Sequence, residues 1–141
     1  MGIKMTSYHI IDEPKPKFSE KLVVNPVIIL FAAILVPLFW NIPLAGKLWI
    51  PLVWVIANGI ILGSSTLGKE ILTIFLGSLF YLIVLFGTFF VITSTDYLQY
   101  QEVVKPYLHI FLQAIFFVTL YISIFMQTAS YNIFDYIREN R

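Results

Sequence analysis

The sequence predicts an all-α, polytopic membrane protein, with four transmembrane helices in a compact antiparallel bundle of two hairpins and both termini on one side. Three observations predict it. The chain of 141 residues is 59% hydrophobic and only 12% charged, whereas soluble domains run at about 45–50% apolar and about 25% charged. The few charges are also bunched. Between Leu22 and Tyr136 they leave four runs free of Asp, Glu, Lys and Arg: Leu22–Gly46, Leu48–Gly68, Ile71–Thr95 and Pro106–Phe134. Each reaches the roughly 20 residues that cross a hydrocarbon core about 30 Å thick. Finally, aromatic residues punctuate the ends of those runs, and all three tryptophans lie between Pro37 and Gly63.

Residues 1–21 read as a polar tail, because Pro14-Lys15-Pro16-Lys17 favours an extended segment over a helix. The remainder, 22–141, reads as one transmembrane domain. Its first helix is predicted over 22–44, with Pro26 in the first turn, where a missing N–H is harmless, and with Pro37 bending or ending its regular part. A tight turn at Lys47 leads into the second helix, predicted over 48–68 with Pro51 in its first turn. Trp40 and Trp49 flank that turn as interfacial anchors. Gly59 and Gly63 are four residues apart, so on a helix they share a face that lets another backbone come close. The third helix is predicted over 71–94, just after Lys69-Glu70, with Gly77 and Gly87 as further close-packing positions. The connection that follows carries Tyr97 and Tyr100, two more residues suited to the lipid-water boundary. The fourth helix is predicted over 106–134, opened by Pro106 and followed by a short polar end.

Basic residues set the expected orientation. Four lysines precede the first helix, Lys69 follows the second, and Arg138 and Arg141 end the sequence, against Lys47 and Lys105 on the other side. The positive-inside rule then places both termini in the cytoplasm. A lysine-, isoleucine- and phenylalanine-rich composition with two arginines leans toward a bacterial cytoplasmic (inner) membrane.

Function is constrained chiefly by what the spans lack. Ion-coupled carriers place ionisable groups at membrane depth, and here the predicted spans hold no Asp, Glu, Lys or Arg and a single histidine, His109, about one turn from its boundary. The fourth helix does carry a polar stripe. His109, Gln113, Ser123 and Gln127, interrupted by Phe116 and Leu120, follow a 4-3-4-3-4 spacing on one face. In hydrocarbon such a face must turn to other helices, a partner or a wet path, with Asn58 on the second helix a natural hydrogen-bonding mate. The chain has no cysteine and two histidines, so no thiolate site is available and a histidine cluster is not expected. No phosphate loop or nucleophile pattern is present. We therefore expect no catalytic residue, no metal, no cofactor and no enzyme activity. A net charge of +1 without a basic run argues against nucleic acid. The expected partners are the lipid bilayer and either further copies of the chain or another membrane protein. The leading expectation is a non-catalytic subunit, or an immunity- or defence-type partner, acting by lateral helix–helix contact. The alternative is a homo-oligomeric pore lined by the fourth helix, and a small dimeric carrier is the weaker third reading.

Overall fold

The computed structural model describes residues 21–39, 44–94 and 101–139. Among them every regular element is a helix: α1 (Pro26–Phe39), α2 (Leu44–Leu62), α3 (Leu67–Ser94) and α4 (Gln101–Glu139). Trp40, Tyr97, Tyr100 and the tail up to residue 20 lie outside the described residues.

Each helix end has a local cause, and several move the predicted boundaries. α1 starts at Pro26 rather than residue 22. The Asn25 side chain caps it, its Oδ1 accepting from Val27 N at 3.0 Å while its carbonyl accepts from Ile28 N at 2.9 Å. Pro37 lies inside the helix, which continues to Phe39. α2 begins at Leu44, so Lys47 belongs to its first turn and Pro51 to its second rather than its first. It stops at Leu62, six residues before the predicted end, because Gly63 takes φ +66°. Gly63 N donates to Ile60 O at 3.2 Å and Ser64 N to Gly59 O at 3.0 Å, the paired bonds of a Schellman C-cap. Gly63 therefore ends the helix instead of sharing a packing face with Gly59.

The same early stop lets α3 begin at Leu67. Thr66 O accepts from Lys69 N at 2.8 Å and Glu70 N at 3.0 Å, which winds Lys69-Glu70 into the first turn of the helix. α4 runs past its predicted limits at both ends. Pro106 withholds one backbone donor but leaves the preceding turn intact, and Lys105 pairs with Glu102 there at 2.8 Å. At the far end Arg138 pairs with Asp135, placing a cation in the last turn where the helix dipole favours it.

α4 packs against all three other helices, and α2 packs against α1 and α3, whereas α1 and α3 do not meet. The shared core comprises Ile29 and Ala33 of α1, Leu52 and Val55 of α2, Ile74 of α3, and Phe116, Leu120 and Ile124 of α4. α3 reaches α4 through Gly77. A Cβ built there would lie 2.1 Å from Thr119 Oγ1 and 2.4 Å from its Cγ2, so only glycine permits this approach.

α3 and α4 are each long and apolar enough to cross a membrane. At about 1.5 Å per residue they rise about 42 and 58 Å. Most of the α3 surface is left uncovered: Phe75, Phe86 and Phe90 are 62%, 63% and 69% exposed.

Candidate functional site

The space between the helices is polar at one end and hollow at the other, and the stripe on α4 runs from one to the other. The polar end is built from the α2–α3 turn, the first turn of α3 and the second half of α4. Asn58, on α2, reaches the non-helical residues ahead of α1. Its Oδ1 accepts from Val24 N at 2.8 Å and its Nδ2 donates to Val24 O at 2.9 Å, so a side-chain amide completes both backbone groups of one residue. The same Nδ2 donates to Gln127 Oε1 at 2.9 Å. Gln127 then uses its own amide nitrogen twice, donating to Val55 O and to Glu70 Oε2, each at 3.0 Å.

Glu70 closes the network. Its Oε1 accepts from Ser64 Oγ at 2.5 Å and Thr66 Oγ1 at 2.7 Å. The Ser64 hydroxyl also lies 3.2 Å from Ser130 Oγ on α4. Glu70 and Gln127 are both 0% exposed. Among the described residues no buried side-chain nitrogen or oxygen lacks a partner. Gly59 makes room for this arrangement, since a Cβ there would stand 2.7 Å from Gln127 Nε2 and 2.8 Å from Glu70 Oε2. Every donor of Asn58 and Gln127 is committed inside the chain, so the cluster binds helices to one another rather than presenting a group to a substrate.

Farther along α4 the stripe changes character. Ser123 is buried, but its hydroxyl donates to Thr119 O at 3.0 Å within its own helix. Thr119 likewise donates to Ile115 O at 2.8 Å. His109 and Gln113 are exposed, with the Gln113 amide nitrogen 3.2 Å from His109 Nε2. Both line a cavity of about 390 Å³ to which all four helices contribute, together with Lys47, Tyr81, Phe116 and Phe117. A smaller pocket of about 70 Å³ lies beside it, bounded by Trp49, Gly77, Tyr81 and Thr119.

The predicted site residues thus divide. Asn58, Gly59, Ser123 and Gln127 lie in or against the buried end, and His109 and Gln113 lie at the cavity. Gly77 sits at the α3–α4 crossing. Gly63 is a helix stop where an added Cβ would meet nothing within 4 Å, and the same holds at Gly87. Trp49 is exposed on α2. The sequence leaves Glu70 between the second and third predicted helices and singles out neither it nor Ser64 as a site residue, so both hubs of the network are found only in the structure. A signal was available: Ser64-Ser65-Thr66 is a run of hydroxyls following a helix-stopping glycine, with a carboxyl group one turn farther on. The chain matches no known protein family, no curated protein and no solved structure.

Proposed function

We propose that the chain is an integral membrane protein that crosses the bilayer four times as two antiparallel helical hairpins. It acts by lateral helix–helix contact, as a non-catalytic subunit or an immunity-type partner of another membrane protein. The observation that carries this reading is the bare surface of α3. Its most apolar stretch is almost wholly uncovered, and an exposed apolar area of that extent marks a membrane or protein contact. α3 crosses with length to spare, but α1 is short. Its 14 residues rise about 21 Å, and the non-helical residues 23–25 ahead of it add at most about 10 Å. Together they match a core about 30 Å thick. Non-helical backbone is tolerated at that depth only where protein satisfies it, and Asn58 does so for Val24. We place the Glu70 end and both termini on the cytoplasmic side, following the distribution of basic residues.

The second reading is a homo-oligomeric pore along α4. The exposure of His109 and Gln113 favours it. Against a continuous path stands Gln127, whose amide is fully engaged by Asn58, Val55 and Glu70.

Native mass spectrometry of the chain, extracted from its own membrane in mild detergent, separates these readings. A second polypeptide in fixed ratio, lost when Phe86→Asn and Phe90→Asn are introduced on the bare α3 face, is the expected result. A discrete homo-oligomer indifferent to those changes would turn the conclusion to the pore. A lone monomer would remove both.

A further inference from the structure

We propose that the cavity at the Lys47 end binds a single-chain amphiphile with an anionic head, such as a long-chain carboxylate. Its head would sit at Lys47 and its chain between α1 and the aromatic wall of α4. This rests on the bilayer placement proposed above, through which such a ligand arrives.

Four features of the cavity argue for it. Its volume of about 390 Å³ falls in the range of about 300–1,000 Å³ typical of small-molecule sites. Its polar groups are few: Lys47, His109, Gln113 and Tyr81 each bring at least one hydrogen-bond donor, and among the described residues no Asp or Glu lines it. The rest of the lining is apolar, with Phe116 and Phe117 meeting edge to face at 5.1 Å between ring centres. Such a division into a basic mouth and a greasy body matches an ion with a tail and suits neither a sugar nor a bare anion.

The fourth feature is electrostatic. Lys47 is only half-exposed and lies in the first turn of α2, which contains no acidic residue. Helix N-termini carry a partial positive charge that favours anions and disfavours cations. Among the described residues Lys47 has no ion-pair partner, since the two salt bridges there belong to Lys105 and Arg138. A carboxylate in the cavity would answer both the ammonium group and the helix end, as a charge-assisted hydrogen bond. The contrast with the opposite end of the bundle is direct. There Glu70, Gln127 and Asn58 satisfy one another, whereas here Lys47 lines the cavity with no ion-pair partner among the described residues.

The test uses the full chain in phosphatidylcholine nanodiscs and a palmitate carrying a photoactivatable diazirine on its chain. Insertion is read first, by flotation of liposome-reconstituted chain after alkaline extraction. Crosslinks are expected between residues 109 and 117 of α4 and on the second half of α1. Palmitate should compete for them, and hexadecanol and hexadecylamine should not. Lys47→Gln should lower labelling about tenfold, the loss expected for one charge-assisted bond, and Lys47→Arg should restore most of it. Adding phosphatidylglycerol to the nanodisc distinguishes sources. Competition equal to that of palmitate would support the site and assign it to a bilayer lipid with an anionic headgroup, and weak competition would support the site with a free carboxylate as its ligand. Labelling spread over the bare α3 face, or hexadecanol competing as well as palmitate, would overturn the inference alone. Failure to float would overturn the bilayer placement and this inference with it. Because competition is read on the unaltered chain, the outcome does not hinge on a variant folding.

Discussion

Gln127 does more than its share of joining. One side chain takes a bond from Asn58 on α2, gives one to the Val55 carbonyl on the same helix, and gives another to Glu70 on α3. Interhelical bonds of this kind average about 0.6 kcal/mol in membrane proteins. The larger quantity is the cost of leaving partners unmet, about 1–3 kcal/mol for each buried group and more for a charged one. Gln127→Leu strands a carboxyl oxygen and an amide proton together, and takes from the Val55 carbonyl its bond outside the helix. We therefore expect a loss on the order of 3 kcal/mol, measured by reversible unfolding in mixed micelles of rising SDS fraction. His109→Leu, at an exposed position, should leave that unfolding curve within about 0.5 kcal/mol of the unaltered chain.

The helices show how far sequence reasoning carries. All four were legible, because long runs without charge leave few alternatives. Their ends were not. Hydropathy does not fall at Gly63, so the stop of α2 there is written only in one residue's backbone angle and in the two bonds that angle permits. Missing that stop displaced the start of α3 and hid Glu70, which looks like a boundary charge until the turn folds it inward. The polar stripe was legible as a face of α4, but not its division, since spacing alone does not say which half other helices cover. Glycines divide in the same way. Gly77 admits Thr119 and Gly87 admits nothing within 4 Å, yet both are lone small residues in one apolar helix. Gly77→Leu should force α3 off α4 and lower the unfolding midpoint sharply. Gly87→Leu should be neutral or slightly stabilising, because glycine inside a helix costs about 1 kcal/mol relative to a good helix former. Equal effects from the two variants would show that the Gly77–Thr119 approach is not what holds these helices together.

At the scale of the whole molecule, the absence of cysteine is useful. Any cysteine introduced is the only one, so a membrane-impermeant maleimide reports sidedness without background. Lys69→Cys and Lys47→Cys lie at opposite ends of α2 and its following turn. In intact cells the second is expected to label from outside, and the first only after the membrane is breached. Labelling of both from the same side would rule out α2 as a crossing helix, and with it the four-pass arrangement.

The packing order of the helices has a further consequence for how the chain is made. α1 and α3 do not meet, whereas α2 and α4 each touch the other three, and α4 is the last of the four in the sequence. During synthesis α4 leaves the ribosome after all of them. Until it arrives, Asn58 has no Gln127 to receive its proton and Glu70 lacks one of its three donors. In the four-pass arrangement proposed above, the earlier helices wait with these polar groups unmet. In that interval the nascent chain offers an insertion chaperone or a protease its best foothold, and the arrival of α4 withdraws it.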